Sequence, residues 1–236
     1  MPNWVMNRLT ITGESKEIKN FVEKAKTPYQ TFHEGYGENA GKTIEEQRTG
    51  AIMFWNFKQP ENKQLYFGAS DYKPEGYDKL STEEQMALSL SFKSDGWYDW
   101  NCREWGTKWD ACNSEMVSET SREDGTASVQ YAFDTAWSPA EDAFRAMVEQ
   151  HPKLEFEFYC EEEQGWGVEY VGENGELSVS DEWDVPDSHA DYKDRDNLDG
   201  CNCNNYEPEE WFDDCPDNPK ATEQAVQAFE DISELI

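Results

Sequence analysis

Apolar and polar residues alternate along the first segment of the chain. Between residues 5 and 12 every second side chain belongs to the same face, which predicts a strand with one buried side. After Gly13 the period changes to that of a helix, which we expect to be N-capped by Ser15 and to run to about Ala25. The buried face of this helix is predicted to hold Ile18, Phe21, Val22 and Ala25.

Further helices and strands are predicted by the same periods and by their start and stop signals. Ser81 with Glu84 forms a capping box, Ser138 is expected to N-cap a helix that His151 ends, and Asn174-Gly175 is typical of a hairpin turn. The segments predicted as strands are 52–57, 112–120, 128–133, 154–159, 166–171 and 176–183. The segments predicted as loops are 29–50, 60–76 and 184–218, and a last helix is expected from residue 218 onward.

The order of these elements favours an α+β sandwich built from split β–α–β units, with the helices on one face of the sheet and the other face free. We expect residues 1–183 to form this domain, with insertions at 29–50 and 60–110. Residues 184–236 are predicted to be an acidic, cysteine-containing C-terminal extension made of a loop and a helix.

The charge of the chain excludes several classes of function. The 236 residues include 51 acidic and 20 basic side chains, for a formal net charge of −31. Binding to duplex DNA or to an anionic membrane needs clustered lysine and arginine, so we expect neither. The 10 Trp, 11 Tyr and 12 Phe provide enough apolar volume for a core. With neither a membrane-length apolar stretch nor a signal-peptide pattern, the sequence predicts a cytoplasmic protein.

The negative charge is concentrated in the last third of the chain. Residues 155–236 hold 26 acidic side chains and 3 basic ones, so an exposed surface there carries a strong negative field. Two interpretations stay open, namely solubility or salt adaptation, and a surface for a basic partner. On the second interpretation, the candidate partner-binding residues are Glu161, Glu162, Glu163, Asp181, Glu182, Asp184, Asp213 and Asp214.

Four tryptophans lie between residues 96 and 110. Their size favours burial, so they could plug the open end of the sandwich together with Trp137, with Lys108 and Asp110 as a local ion pair. The alternative is a recognition surface, because exposed Trp and Tyr dominate binding hot spots. Its candidate residues are Trp97, Tyr98, Trp100, Trp105 and Trp109.

Metal and catalytic motifs are weak. Cys201, Cys203 and Cys215 could bind zinc with His189 or Cys160 as the fourth ligand, but the spacing lacks the paired Cys-x-x-Cys pattern, and free thiols are favoured. We therefore expect no cofactor, with zinc as the alternative. The chain has three histidines and none of the common nucleophile, phosphate-loop or dinucleotide motifs, so we do not expect an enzyme.

Several segments resemble one family, the Api-ninety-two-like (Api92-like) group of phage and plasmid proteins of unknown function. The resemblance lies in residues 1–13, 97–101, 105–111 and 133–139, with the runs Trp-Gly-Thr-Lys-Trp-Asp and Phe-Asp-Thr-Ala-Trp-Ser-Pro as its most specific parts. It spans residues 1 to about 183 and implies a ferredoxin-like (βαββαβ) fold. It also implies origin from a mobile element and a cytoplasmic setting in a host bacterium, and supplies no established activity.

Together, the charge and the resemblance lead to a functional hypothesis. We expect an anti-defence binding protein whose acidic surface mimics DNA and blocks a basic host complex, such as a CRISPR effector or a restriction enzyme. The alternative is a protein-interaction module that uses the tryptophan-rich segment, and the third hypothesis is a metal-dependent enzyme. Salt separates the first two, because charge mimicry weakens as ionic strength rises.

Overall fold

The computed structural model describes residues 3–34, 38, 42–68, 73–185 and 215. The helices found in these ranges are α1 (Ser15–Ala25), α2 (Lys63–Gly68), α3 (Thr82–Lys93), α4 (Trp97–Glu104) and α5 (Glu141–Gln150), with short 3-10 helices at Phe54–Asn56 and Tyr77–Lys79. The strands found there are β1 (Trp4–Glu14), β2 (Tyr29–Glu34), β3 (Thr43–Arg48), β4 (Cys112–Ser121), β5 (Thr126–Ala136), β6 (Glu155–Glu162), β7 (Gly167–Glu173) and β8 (Glu176–Trp183).

Six strands form one sheet in the order β4-β5-β1-β6-β7-β8, and every neighbouring pair is antiparallel. The crossover β1-α1-β4 places β5 between its two strands, and the crossover β5-α5-β6 places β1 between its two strands. These are two interlocked split β–α–β units. The predicted α+β, ferredoxin-like fold class is therefore confirmed, with the hairpin β7–β8 added beside β6.

Both helices pack on the same face of this sheet. Leu9 is in register with Tyr131 on one side and Phe158 on the other, and all three are buried. Phe144 of α5 stacks on Phe158 with ring centroids 4.3 Å apart. Phe21 of α1 packs edge-on against Phe156, with ring centroids 5.8 Å apart. Phe156 lies two residues before Phe158 on the same face of β6. The core therefore lies on one side of the sheet, between it and the two helices.

The predicted start and stop signals are confirmed in part. Ser81 and Glu84 form the capping box of α3, which continues to Lys93, and Asn174-Gly175 forms the β7–β8 turn with φ angles of 55° and 85°. Ser15 is not an N-cap, because it already belongs to α1 and its hydroxyl donates to the Gly125 carbonyl at 2.8 Å.

Ser138 does not cap α5 either. The helix begins at Glu141 after Ala140, and the Ser138 hydroxyl instead donates to the Gly106 carbonyl at 2.6 Å. Ser138 therefore fixes the segment after α4 to the segment before α5, and the first turn of α5 has no side-chain cap at Ala140.

The long segment between α1 and β4 contains regular structure that its sequence pattern does not predict. Within 29–50, Tyr29–Glu34 and Thr43–Arg48 are not loops, because they pair as the antiparallel strands β2 and β3. The predicted loop at 60–76 contains α2. The predicted strand at 52–57 is also wrong, because Phe54–Asn56 is a 3-10 helix with the rings of Phe54 and Trp55 buried. This apolar run is buried in the core and is not paired as a strand.

The carboxylate of Asp110 holds this inserted segment in place. It accepts hydrogen bonds from the backbone N–H groups of Phe54, Trp55 and Ala111 and from the hydroxyl of Tyr29 at 2.9 Å. Withdrawal from water raises the pKa of Asp110, while the hydrogen bonds act in the opposite direction. One side chain therefore ties together β2, the 3-10 helix and the residue that leads into β4.

Residues Met1–Glu163 and Gly167–Trp183 form one compact unit, to which the whole six-stranded sheet belongs. Residues Gln164–Trp166 and Asp184–Ile236 are a separate unit. The predicted loop at 184–218, beyond its first two residues and Cys215, and the predicted last helix lie outside the described residues. None of the described helices is both long enough and apolar enough to cross a membrane.

The packing of α5 predicts a large loss of stability in Phe144→Ala. Phe144 is fully buried and contacts Phe54, Phe133, Phe158 and Tyr170. We expect its truncation to lower the free energy of unfolding by roughly 3–5 kcal/mol, measured by urea denaturation. A loss below about 1 kcal/mol, as for an ordinary surface substitution, would mean that this face of α5 is not packed.

The hydrogen bonds of Asp110 predict that Asp110→Ala destabilises the inserted segment. Asp110 accepts from four donors, and each one left buried without an acceptor costs about 1–3 kcal/mol, so we expect a total loss of about 4 kcal/mol or more and faster amide exchange at Phe54 and Ala111. Asp124→Ala is the control, because Asp124 accepts two hydrogen bonds from Thr126 in an exposed turn. Equal effects of the two substitutions would contradict the anchoring role.

Candidate functional site

One face of the six-stranded sheet carries none of the described helices and is strongly acidic. Met6 and Arg8 of β1 point to this face, opposite to the buried Leu9, and Met6 is 54% exposed. We call this surface the acidic sheet face. The strand register assigns to it the carboxylates of Glu14, Glu115, Asp134, Glu155, Glu157, Glu161, Glu169, Glu173, Glu176 and Asp181.

The geometry of a sheet sets the spacing of these charges. Glu155 and Glu157 follow each other on the same face of β6, which places them about 6.6–6.8 Å apart along the strand. Glu169 and Asp181 lie directly opposite each other across β7 and β8, a separation of about 5 Å between their Cβ atoms. Like charges this close repel, so the arrangement costs stability unless cations bind to it.

Arg8 is the single basic residue of these six strands, all of whose residues are described. Its guanidinium carbon lies 5.9 Å from the centre of the Tyr159 ring, and this ring lies 5.4 Å from Trp183. The Tyr159 hydroxyl donates to Glu161 at 2.6 Å. A β-carbon at Gly167 would collide with the Trp183 indole, so glycine is required there. An Arg–Tyr–Trp row thus crosses the acidic sheet face.

The structure places five of the acidic residues singled out in the sequence at the surface, but not all on one face. Glu161 and Asp181 belong to the acidic sheet face, whereas Glu182 is exposed on the opposite face. Glu163 follows β6, is exposed and accepts a hydrogen bond from the backbone N–H of Trp4 at 2.6 Å. Asp184 follows β8 and is exposed.

The prediction that Glu162 is a surface carboxylate is wrong. The alternation of β6 turns Glu162 toward the helices, in register with the buried Val5, and Glu162 itself is only 2% exposed. Asp213 and Asp214 lie outside the described residues. Glu115 and Asp134 were not among the residues singled out in the sequence, because they lie far from the acidic last third and reach the same face only through strand pairing.

An aromatic cluster lies at the end of the sheet where β1 begins and β5 ends. We use this name for Trp97, Tyr98, Lys108, Trp109 and Trp137. The rings of Trp97, Tyr98 and Trp137 are 43%, 42% and 43% exposed and form a continuous row, with neighbouring centroids 5.7 and 6.4 Å apart. The cluster adjoins the acidic sheet face through Trp4, whose ring lies 5.8 Å from that of Trp109.

The ammonium group of Lys108 lies among three of these rings. It is 4.6 Å from the centroids of Trp109 and Trp137 and 5.6 Å from that of Tyr98, which are cation–π distances. The predicted ion pair of Lys108 with Asp110 is therefore wrong, because Asp110 receives the hydrogen bonds that anchor the inserted segment. The backbone of Trp137 has a φ of 73°, which is uncommon for a bulky residue.

Two of the candidate tryptophans belong to the core. Trp105 is 1% exposed and its indole N–H donates to the Lys58 carbonyl at 3.0 Å. Trp100 is 7% exposed and meets the Trp105 ring edge-on at 5.4 Å. For these two rings the structural interpretation is confirmed, and the recognition interpretation is wrong. Exposed rings are found instead at Trp97, Tyr98 and Trp137.

The cysteines and histidines in the described part of the chain do not converge. Cys160 is fully buried, and burial raises the pKa of its thiol. Cys215 is also buried, while Cys201, Cys203 and His189 lie outside the described residues. No group of three or more metal-ligating side chains is found within the described residues. His151 is the C-cap of α5, and burial lowers its pKa.

Comparison with known proteins finds a similar family for part of the chain. A crystal structure of a protein Api92 from Yersinia pseudotuberculosis matches with a TM-score of 0.43 and 10% identity, over 79% of this chain and 99% of that chain. No curated protein matches the chain. Residues 104–200 match the family model described as the ferredoxin-like domain in Api92-like protein. That segment includes β4 to β8 and α5, so the resemblance seen in the sequence is confirmed there: residues 104–200 are similar to the ferredoxin-like domain of Api92-like proteins.

Proposed function

We propose that this chain is an anti-defence protein of a phage or plasmid, which acts in the cytoplasm of a host bacterium. Its acidic sheet face binds the basic nucleic-acid-binding surface of a host defence complex, such as a CRISPR effector or a restriction enzyme, and occupies the place of DNA. The observation that carries this proposal is the one-sided charge of the sheet, where ten carboxylates share a helix-free face with a single basic side chain, Arg8.

The spacing of the carboxylates supports the comparison with DNA. A single DNA strand carries one charge per roughly 3.4 Å of helix axis, and the repeat along one strand face is about 6.6–6.8 Å. Neighbouring strands, which lie about 4.8 Å apart, add carboxylates between these positions. A groove lined with lysine and arginine to bind phosphates therefore meets a charge density of the same order.

The rigidity of the sheet supports the proposal as well. Seven of the ten carboxylates of the acidic sheet face lie on β5, β1, β6 and β7, the strands that have a neighbour on both sides. Side chains on such a platform are ordered before the partner arrives, which lowers the entropic cost of association. The negative field also speeds the encounter with a basic surface.

A second candidate function follows from the exposure of the aromatic cluster. Trp97, Tyr98 and Trp137 form a continuous exposed row of the residue types that dominate binding hot spots. A protein-interaction module that depends on this row would bind with little dependence on salt, whereas the acidic sheet face would not. A metal-dependent enzyme remains the third hypothesis.

Charge reversal on the acidic sheet face tests the proposal. The double variant Glu155→Lys/Glu157→Lys changes two exposed residues of this face, and Glu83→Lys/Glu149→Lys changes two exposed helical residues by the same charge. We expect the first variant to lose at least about tenfold in affinity, or about 1.4 kcal/mol, for purified host effector complexes that wild-type protein binds. The second variant should lose much less.

The comparison is measured by titration against a panel of CRISPR effector and restriction complexes at 0.1 M salt. Circular dichroism melting of both variants controls for folding. Equal losses in the two variants would show that net charge, and not this face, governs binding. Unchanged affinity of Glu155→Lys/Glu157→Lys for a complex that wild-type protein binds would refute the proposal.

A further inference from the structure

We infer that Tyr98, Trp109 and Trp137 form a cation-binding site that takes an arginine side chain of the protein partner, with Lys108 as a resident cation that the arginine displaces. This inference rests on the proposed function, because it gives a basic partner a specific contact next to the acidic sheet face.

First, the rings of Trp109, Trp137 and Tyr98 already hold a cation. They surround the Lys108 ammonium at 4.6, 4.6 and 5.6 Å, so the three rings already hold a cation at favourable distances. Trp137 and Tyr98 remain 43% and 42% exposed with this ammonium in place. A cation in solvent can therefore reach these rings and take the position of the ammonium.

The second step is the backbone of Trp137. A φ of 73° is unfavourable for a bulky side chain, and such strain persists where surrounding structure and function require it. Glycine at position 137 would relieve this strain. It would also keep the local hydrogen bond, because the backbone N–H of this residue, and not the side chain, donates to the Asn3 carbonyl. The Trp137 ring is half-exposed, so its packing offsets little of this strain. The strained conformation is therefore better explained by the position that it gives to the ring.

The third step selects the ligand. The cluster adjoins a face with a strongly negative field, which favours a cationic partner side chain over a neutral or anionic one. A guanidinium is planar, weakly hydrated and stacks on aromatic rings, whereas an ammonium is compact and strongly hydrated. On an open row of rings such as this one, arginine is the cation that gains most from the contact, and it can replace the ammonium of Lys108.

Two polycations of equal charge, nona-arginine and nona-lysine, test this site in the full-length protein. Carboxylates themselves favour arginine through bidentate pairing, so the part of the preference that depends on Trp137 is the part that reports the aromatic cluster. We expect wild-type protein to bind nona-arginine about fivefold more tightly than nona-lysine. In Trp137→Gly this preference should shrink toward the value that the carboxylates alone give, while the melting temperature falls by less than about 3 °C. Leu90→Ala, which truncates a residue that is 66% exposed on α3, should change neither quantity.

A charge-matched pair of variants tests the role of Lys108. Lys108→Gln and Lys19→Gln remove one positive charge each, but only the first removes the resident cation. Lys108→Gln should therefore bind nona-arginine more tightly than Lys19→Gln does. Equal or weaker binding of Lys108→Gln would overturn the displacement.

The outcomes separate this inference from the proposed function. Equal binding of the two peptides by wild-type protein, or an unchanged preference in Trp137→Gly, would overturn the arginine site and leave the acidic sheet face standing. Binding of neither peptide would overturn both. A Trp137→Gly protein that melts far below wild type would show that the Trp137 ring stabilises the fold. Tyr98→Ala would then decide the site, and an unchanged arginine preference in that variant would reject it.

Discussion

The placement of both helices on one face of the sheet is the constraint on which the rest of this structure depends. Each helix belongs to a crossover between parallel strands, and such crossovers are right-handed almost without exception. Because the two split β–α–β units interlock, α1 and α5 cover the same side, where Phe21 and Phe144 pack on the strands. Within the described residues the other side carries no helix, and the alternation of each strand places its polar residues there.

The charges on that open side connect the fold to the proposed function. An ordinary solvent-facing sheet mixes both signs of charge, because like charges on neighbouring strands repel. Here Glu169 faces Asp181, and the only basic side chain, Arg8, lies over Tyr159. The fold can bear this repulsion because its stability comes from the opposite face. A basic partner would remove the repulsion on binding, so the same charges that weaken the isolated chain favour the complex.

The sequence predicted the elements whose signals are local and missed those that depend on distant partners. The period of β1 and α1 and the capping box of Ser81 were sufficient to find them. The 3-10 helix at Phe54–Asn56 was not predictable, since the N–H groups of Phe54 and Trp55 donate to Asp110, more than fifty residues away. Composition pointed only to an acidic surface in the last third of the chain, and Glu162 was placed wrongly because only strand register shows that it pairs with Val5 on the buried side.

Competition between this chain and DNA tests the central claim most directly. The measurement is the apparent dissociation constant of a bound host effector for duplex DNA, determined at increasing concentrations of the chain. The account predicts that this constant rises in proportion to the concentration of the chain, and that the rise weakens with salt because exposed charges are screened. A ternary complex, in which the effector holds the chain and duplex DNA together at unchanged affinity, would contradict the account.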